Sequence, residues 1–333
     1  MSIITRCNFN KVCQNNTIRI GGKLMKKKNI KTPKGKNFAT IQHALLALPS
    51  ALYIFVFSYI PMYGVILAFK SFNARLGFLK SPWVGLKNFD FFFKSQDAWR
   101  VTSNTLFLNS IFIITSTICA VVFALLMFEV VKQVHIKIYQ TIAILPMFIS
   151  WVIVGYIVYS FLQTDTGIIN RFLENFGFNP VSWYSEPNKW PAILTITNIW
   201  KSVGFAGIIY YASLIGVSQD YYEAAEIDGA NKLQTAWYLS IPSLIPIITI
   251  LTILSIGNVF RADFGMFYNV TRNIGALYPT TDVVDTYVFR ALTKSGSIGM
   301  SAAVGLFQSI VGFVLIIITN MVVKKIEPDN SIF

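Results

Sequence analysis

The chain has 333 residues, of which 54% are hydrophobic, 15% aromatic and only 13% charged. In a soluble globular domain about a quarter of the residues are charged. The low charged fraction of this chain excludes that class and indicates an integral membrane protein. The formal net charge is +13, but ten of the 28 Lys and Arg residues lie within residues 1–40. The rest of the chain has no basic face or recognition motif, so the charge predicts orientation in a bilayer and excludes nucleic acid as a partner.

Residues 1–40 form a basic tail that we expect to stay in the cytoplasm. Its lysines crowd just before the first apolar run, and cations that flank a membrane helix favour the cytoplasmic side. Met25, which three lysines follow, offers an alternative start of translation that would leave residues 1–24 untranslated. The three cysteines of the chain lack metal-ligand spacing, so no metal site is predicted.

Six apolar runs follow, each close to or above the roughly 20 residues that a helix needs to cross about 30 Å of hydrocarbon. They lie at residues 42–69, 105–130, 141–163, 191–217, 243–263 and 297–323. All six are predicted to be helices, because only a helix satisfies its own backbone in lipid without a partner. Pro49, Pro61 and Pro146 are expected to bend their helices. The predicted fold is an all-α integral membrane protein with six transmembrane helices.

The topology follows from charge and from the even number of helices. The basic tail precedes the first helix and two lysines follow the last one, so both termini are predicted to be cytoplasmic. The membrane domain covers residues 41–325, and residues 326–333 form a short cytoplasmic tail. The loops predicted in the cytoplasm are 131–140 and 218–242, and those predicted outside are 70–104, 164–190 and 264–296.

The segment between the fourth and fifth apolar runs is polar and favours a helix. Glu223, Ala224 and Ala225 are good helix formers. Gly229 permits a bend or a helix stop that a residue with a side chain would resist. Pro242 suits the first turn of a new helix. We therefore predict a helix, a kink, and a short helix that re-enters the bilayer.

The spacing of these residues resembles the EAA signature of importer-type ABC permeases. That signature is EAA, three residues, G, nine residues and I-x-L-P, and here the last four positions read Leu-Ser-Ile-Pro, an exchange of Leu and Ile only. The resemblance implies a type I (MetI-like) permease in which this segment docks in a groove of a separate ATPase subunit. The residues assigned to ATPase coupling are Glu223, Ala224, Ala225, Gly229 and Pro242.

Other segments are similar to permeases for polysaccharide and oligosaccharide uptake in carbohydrate uptake transporter class 1. These segments are SPWVGLKNF at 81–89, NTL at 104–106, WKSVGF at 200–205, TTDVVDTYVFR at 280–290 and AVGLFQSI at 303–310. The first of them implies either a lid at the membrane surface or a docking surface for an external binding protein. Asp282 and Asp285 are expected to form a turn and cap a short re-entrant helix.

Polar and aromatic residues inside two of the apolar runs are candidates for the substrate pathway. They are Asn198, Trp200, Lys201, Tyr210, Asn258 and Arg261. Such a set suits a sugar, whose faces stack on aromatic rings and whose hydroxyls need donors and acceptors. Alternatives remain for individual members: Lys201 could snorkel toward the membrane surface, and Arg261 could be neutralised by Asp263.

The chain is predicted to be a translocation subunit and not an enzyme. No phosphate-binding G-x-x-x-x-G-K-[ST] motif occurs, so no cofactor is assigned to this chain, and ATP and Mg²⁺ belong to partner subunits. The resemblance implies an ATP-driven oligosaccharide importer in a bacterial plasma membrane. Its expected partners are a second homologous permease, ABC ATPase subunits and a lipid-anchored extracellular sugar-binding protein.

Two other classes of protein are weighed against this interpretation. A stand-alone secondary transporter or channel for a small polar solute would show intramembrane carboxylates or inverted repeats, and the helix interiors have almost no carboxylates. An intramembrane enzyme would need a Ser/His/Asp set or a metal cluster within the helices. The two histidines, His43 and His135, lie instead at predicted membrane edges.

Overall fold

The computed structural model describes residues 17–20, 23–26 and 36–326. Most of the predicted N-terminal tail, and all but the first residue of the predicted C-terminal tail, lie outside the described residues. The chain divides into two compact units, Met1–Tyr63 and Gly64–Phe333.

A short hairpin lies within the segment predicted as a basic tail. Strands β1 (Thr17–Ile20) and β2 (Lys23–Lys26) pair antiparallel, with Thr17 opposite Lys26. In β1, polar and apolar residues alternate, which is the period of a strand. The named elements of the described residues are otherwise all helical.

The first predicted span is helical, as expected. Helix α1 (Lys36–Ile54) begins inside the predicted tail and continues through a π-helical turn at Phe55–Tyr59, α2 (Ile60–Met62) and a 3-10 segment at Tyr63–Phe69. The candidate span is Leu45–Phe69. The π-helical turn ends just before Pro61, whose missing amide proton disturbs the regular i→i−4 ladder at that point.

Four further helical segments are long and apolar enough to cross a membrane. They are Gln96–Phe128, Pro187–Ile215, Lys232–Gly257 and Ile298–Lys325. The third predicted span is not one bent rod. It is a pair of helices, α6 (Gln133–Phe148) and α7 (Trp151–Leu162), that meet at 98°. The described residues therefore contain six spans when this pair is counted as one.

The helices of the unit Gly64–Phe333 vary widely in length. In chain order they are α3 (Gly77–Lys80), α4 (Lys87–Phe93), α5 (Gln96–Phe128), α6, α7, α8 (Ile168–Asn175), α9 (Trp190–Ile215), α10 (Gln219–Ile227), α11 (Lys232–Thr235), α12 (Ile241–Gly257), α13 (Phe264–Asn269), α14 (Tyr278–Thr281), α15 (Val284–Ser295) and α16 (Ile298–Ile326). Short 3-10 turns occur at Trp183–Ser185, Pro187–Lys189 and Gly275–Leu277, and a second π-helical turn at Ala236–Ser240.

Two predicted boundaries are wrong. The loop predicted at 131–140 is mostly helix, because α6 already begins at Gln133. The fifth span ends at Gly257 and not at residue 263, and the residues from Asn258 onward form a turn.

Close crossings of helix backbones hold the bundle together. A Cβ atom on Gly204 of α9 would collide with the backbone of Ala143 in α6. A Cβ on Gly312 of α16 would lie 2.5 Å from the carbonyl oxygen of Gly257 in α12. Lipid tails provide no hydrophobic drive for helices to associate, so small residues that allow close van der Waals contact stabilise such crossings.

The connections between spans gather at two ends of the bundle. At one end, the ring of Phe128 lies 4.9 Å from the ring of Tyr222, and Lys232 forms a 2.6 Å ion pair with Glu129. At the other end, Thr280 donates a hydrogen bond of 2.5 Å to the carbonyl oxygen of Pro187. Loops that were predicted on the same side of the membrane thus lie at the same end of the bundle. Which end faces the cytoplasm stays a prediction from charge.

Candidate functional site

A cavity of about 490 Å³ lies between α5, α9 and α12 and the turn that follows α12. Its polar lining consists of Asn109, Ser116, Thr117, Asn198, Ser202, Tyr210, Ser255, Asn258, Arg261 and Asp263. Hydroxyl and amide groups both donate and accept hydrogen bonds, so this lining suits a polyhydroxyl solute. Four of the six predicted pathway residues line the cavity, and the other two, Trp200 and Lys201, lie elsewhere.

Asn198 connects two helices of the cavity wall. Its side-chain amide donates a 3.0 Å hydrogen bond to the hydroxyl of Ser116, which joins α9 to α5. Within the described part of the chain its Oδ1 atom accepts no hydrogen bond, which leaves this acceptor for a solute. Tyr210, about three turns further along α9, is 2% exposed, so its ring forms the floor of the cavity rather than a membrane-surface anchor.

The turn at residues 258–263 brings a cation and a carboxylate to the cavity. The backbone amide of Ala262 donates to Asp285 Oδ2 at 2.8 Å, and Gln308 Nε2 donates to the carbonyl oxygen of Phe260 at 2.6 Å. Arg261 donates to the hydroxyl of Ser309 at 2.9 Å. Residues of α15 and α16 therefore fix the turn that presents Arg261 to the cavity.

The alternative of an ion pair between Arg261 and Asp263 is wrong. Asp263 instead accepts a hydrogen bond from Trp151 Nε1 at 2.6 Å through Oδ2. Its other oxygen accepts from the backbone amide of Met266 at 3.2 Å and so caps α13. Its carboxylate is thereby bonded to α7 and α13, and Arg261 bonds Ser309 of α16 instead.

Asp282 and Asp285 were expected to cap a short helix, and their side chains bind other groups instead. Asp282 is buried and accepts from Arg290 at 2.6 Å and from Arg100 at 3.3 Å. Asp285 holds the turn after α12; burial raises the pKa of its carboxyl, while hydrogen bonds from the Ala262 amide and the Gln308 side chain lower it. Sequence reasoning missed these roles, because Arg100 lies 182 positions from Asp282.

Lys201 stabilises the break in the third span. Its ammonium group donates to the carbonyl oxygens of Pro146 at 3.0 Å and Met147 at 3.1 Å, and also to that of Ile149. These carbonyls lie at the end of α6, where helix carbonyls lack donors from a following turn. The carbonyl of Pro146 also accepts from the backbone amide of Ile149 at 3.2 Å. The ammonium also lies 5.0 Å from the ring centroid of Trp151, the first residue of α7. One cation thus holds both sides of the 98° bend.

Replacing Lys201 with methionine should destabilise the protein. Met keeps the length of the side chain but removes the donor that three carbonyls at the break share, of which only that of Pro146 keeps a backbone partner, the Ile149 amide, among the described residues. We therefore expect a loss of about 2–3 kcal/mol in the free energy of unfolding. The measurement is an SDS titration of the purified complex. Lys189→Met is the matched control, because Lys189 also stacks on a tryptophan but forms an exposed ion pair with Glu186. This control should lose less than about 1 kcal/mol, and equal losses would contradict the role of Lys201.

Trp200 lies on a different face of α9 from Asn198. It is 45% exposed and lines a separate apolar cavity of about 270 Å³ together with Val154 and Phe161 of α7. The chemistry of that cavity is aliphatic and aromatic and offers few groups that could bind a hydroxylated solute.

The segment predicted to couple to an ATPase folds as helix, kink and helix, as expected. Helix α10 is capped by the hydroxyl of Ser218 and ends at Ile227, and Gly229 two residues later has φ +79°. The amide of Ala230 donates to the carbonyl of Ala225 at 2.9 Å, and that of Gly229 to Glu226 at 3.0 Å. This pair of bonds is the Schellman motif, and its left-handed position favours glycine.

The chain then returns into the bundle without a second break. Asn231 and Gln234 form a reciprocal capping box at the start of α11. A π-helical turn at Ala236–Ser240 connects α11 to α12 and ends just before Pro242, as the first π-helical turn ends before Pro61. Pro242 therefore lies in the first turn of α12, as predicted, although the π-helical turn makes the helical run continuous with α11.

The surface of this segment exposes large apolar side chains. Ile227 is 86% exposed and Leu233 is 79% exposed. The segment is nevertheless fixed to the bundle, because the hydroxyl of Tyr222 hydrogen-bonds Ser240 at 3.3 Å and Lys232 pairs with Glu129. Glu223 and Ala224 are exposed beside these apolar groups. A rigid, apolar and uncovered surface of this kind is typical of a protein interface.

The SPWVGLKNF segment is held together by two inward-facing polar side chains. Lys70 is 4% exposed, and its ammonium donates to the carbonyl of Leu79 at 2.8 Å and lies 4.9 Å from the ring centroid of Trp83. The amide of Asn88 donates to the carbonyls of Ala68 and Lys70. These bonds show that Lys70 and Asn88 stabilise the fold of the segment.

The six-span fold, the polar cavity and the exposed segment at one end define a membrane-embedded subunit of a solute transporter. The family model of the inner membrane component of binding-protein-dependent transport systems matches residues 105–328, and the chain belongs to this family. The predicted family, the six-helix membrane fold and the multi-pass membrane location are thereby confirmed.

Relatives and solved structures agree with this family. The chain is 36% identical over 286 residues to protein LplB of Bacillus subtilis strain 168, over 86% of this chain and 89% of LplB. It is 33% identical over 289 residues to the polygalacturonan/rhamnogalacturonan transport system permease protein YteP of the same strain, over 86% and 88%. A chain of a bacterial ABC transporter that imports the acidic polysaccharide alginate superposes with a TM-score of 0.78 at 29% identity, covering 88% of this chain and 99% of that one.

Proposed function

We propose that this chain forms one half of the translocation pathway of an ATP-driven importer of oligosaccharides. In this proposal a second, similar permease completes the pathway, ATPase subunits hold ATP and Mg²⁺, and an extracellular lipid-anchored binding protein delivers the solute. The observation that carries the proposal is the cavity of about 490 Å³ with its hydroxyl and amide lining.

The placement of charge supports a pathway that two subunits share. Asn258, Arg261 and Asp263 line the cavity yet remain exposed in this chain. Exposed charge within the apolar part of a membrane protein is costly unless it faces water or a partner. A second permease against this face would enclose the cavity and supply the opposite wall.

The substrate class is supported by the lining and by the relatives. The lining offers many neutral donors and acceptors and aromatic rings, and few charges, which suits hydroxyl-rich solutes. YteP is named for polygalacturonan and rhamnogalacturonan transport, and a further solved structure of the alginate transporter contains a periplasmic protein bound to an alginate pentasaccharide. An oligosaccharide delivered by a binding protein is the solute that fits both observations.

Coupling to ATP is assigned to α10 and the turn that follows it. The exposed apolar groups Ile227 and Leu233 provide a surface for a groove of the ATPase, and Glu223 lies beside them for a hydrogen bond or a basic partner. The Schellman turn at Gly229 sets the angle between α10 and α11, so motion of the docked helix reaches α12 directly.

The test is uptake of labelled oligosaccharide by the assembled transporter in proteoliposomes, with and without ATP. Asn198→Ala removes a cavity donor and acceptor, and uptake should fall roughly threefold to tenfold. Thr195→Ala on the same helix is the control, since the hydroxyl of Thr195 donates to its own helix at Pro191. Its uptake should stay within about twofold of wild type. Uptake without ATPase subunits, or equal effects of both variants, would contradict the proposed function.

A further inference from the structure

A second, smaller polar cavity lies at the far end of α13 from the main one. It has a volume of about 280 Å³ and is lined by Val152, Gly155, Tyr156, Tyr268, Asn269, Arg272 and Asn273. Asp263, which caps α13, lines the main cavity, and Asn269 ends the same helix six residues later, about 9 Å along its axis. One short helix therefore connects the two cavities.

Arg272 brings an unpaired cation to this cavity. Its guanidinium carbon lies 4.1 Å from the ring centroid of Tyr159 and 5.7 Å from that of Tyr156. In the described part of the chain it forms no side-chain hydrogen bond and no ion pair, and the lining contains no carboxylate. Two other arginines of this end, Arg100 and Arg290, are both paired with Asp282.

The backbone that carries Arg272 is held in an unfavourable conformation. Arg272 has φ 55° and Asn273 has φ 51°, the left-handed region that side chains other than Asn, Asp and Gly rarely adopt. The hydroxyl of Tyr278 donates to the carbonyl oxygen of Asn273 at 3.2 Å and to its Oδ1 at 3.0 Å. Strained residues that neighbouring bonds over-determine are concentrated at ligand-binding sites.

The wall opposite Arg272 is equally fixed. A Cβ on Gly155 of α7 would lie 2.6 Å from the carbonyl oxygen of Asn269, so only glycine lets the end of α13 approach this closely. The amide of Asn269 donates to the carbonyl of Gly265 at 2.7 Å, which sets its rotamer. The cavity is thus preformed on both sides.

We propose that this cavity binds the carboxylate of an acidic sugar unit through Arg272. Tyrosine rings hold the guanidinium by its face, which leaves the planar fork of N–H donors on its edge for the two oxygens of a carboxylate. Tyr268, Asn269 and Asn273 provide a ring and amide groups for the sugar hydroxyls. The inference rests on the proposed function, and it narrows the substrate to oligosaccharides that contain uronic acids.

The test compares trigalacturonate with its trimethyl ester, which has the same sugar chain but no carboxylate charge. Binding is measured by calorimetry on the assembled permease pair with its ATPases, in nanodiscs of phosphatidylcholine and without the binding protein. Wild type should bind the acid at least about tenfold more tightly than the ester, because charge-assisted hydrogen bonds are the stronger class. Arg272→Gln should lower the affinity for the acid about tenfold and leave the affinity for the ester unchanged.

Two control variants make the result specific. Arg171→Gln removes an exposed cation on α8 and should leave both affinities unchanged. Arg272→Lys retains the charge without the fork and should lie between wild type and Arg272→Gln. Size-exclusion chromatography of each variant verifies that the complex assembles. Equal losses in Arg171→Gln and Arg272→Gln, or equal affinities of wild type for acid and ester, would overturn the proposal.

Further outcomes separate this site from its rivals. If Arg272→Gln lowers only the co-purification of anionic phosphatidylglycerol, the cavity holds a lipid headgroup and the proposal is overturned. If wild type binds neutral maltotriose as tightly as trigalacturonate, the proposed function stands and the acidic site is overturned. If it binds no oligosaccharide at all, the proposed function itself is contradicted.

Discussion

Glu223→Arg should reduce ATP-dependent uptake at least about tenfold while the chain still inserts into the membrane, because a reversed charge in a docked interface costs several kcal/mol. Glu223 is exposed on α10, next to the uncovered apolar side chains of the segment. Among the described residues the side chain of Glu223 forms no hydrogen bond or ion pair, so the effect of the substitution reports on the interface with the ATPase. The measurements are uptake in proteoliposomes and co-purification of the ATPase subunits.

Glu226→Arg is the matched control for this variant. Glu226 lies on the same helix and is equally exposed, but we assign it to solvation and not to contact with the ATPase. Its uptake should remain within about twofold of wild type, as for surface substitutions in general. Wild-type uptake in Glu223→Arg, or the same loss in both variants, would contradict the coupling role of Glu223.

Asp282→Asn should cost about 3–5 kcal/mol in the free energy of unfolding, since it removes one partner of a buried ion pair and leaves the other charged. The side chain of Asp282 is 0% exposed, and it accepts from Arg290 at 2.6 Å, from Arg100 at 3.3 Å and from Thr286 at 2.9 Å. Asparagine has nearly the same shape, so the loss measures charge and hydrogen bonding rather than packing. An SDS titration of the purified complex gives the change.

Asp97→Asn is the control for this variant, because it removes an exposed ion-pair partner of Arg100, which also pairs with Asp282. Asp97 pairs with Arg100 at 2.9 Å, but its side chain is 44% exposed. Solvent screens such a pair, so its loss should cost less than about 1 kcal/mol. Similar losses in the two variants would show that burial of Asp282 does not determine its contribution.

The structure of the segment at residues 218–242 could be predicted from sequence because it depends on local interactions. A helix-forming run, a glycine at a left-handed position and a capping box are all defined within about one turn of their neighbours. The structure confirms the kink at Gly229, whose φ is +79°. Pro242 lies in the first turn of α12, as predicted, and a π-helical turn joins α12 to α11.

The cavity could be predicted only in part. Asn198 and Tyr210 are polar or aromatic residues in an apolar run, a pattern that marks a buried polar site, and both line the cavity. Lys201 and Trp200 fit the same pattern yet face other elements, Lys201 the end of α6 and Trp200 an apolar cavity beside α7. A single sequence does not reveal which side of a helix packs against which neighbour.

The sequence by itself determined the class of protein, the number of spans and the position and shape of the coupling segment, because hydropathy and local turn chemistry act over short stretches of chain. Only the tertiary structure decided that the NTL and TTDVVDTY segments meet, through hydrogen bonds from the Val284 amide to the Thr105 hydroxyl and from the Asn104 side chain to the Asp282 carbonyl. It alone also revealed the sharp break that Lys201 holds and the free cation of Arg272. These features depend on contacts between residues far apart in sequence, which form only when the helices pack.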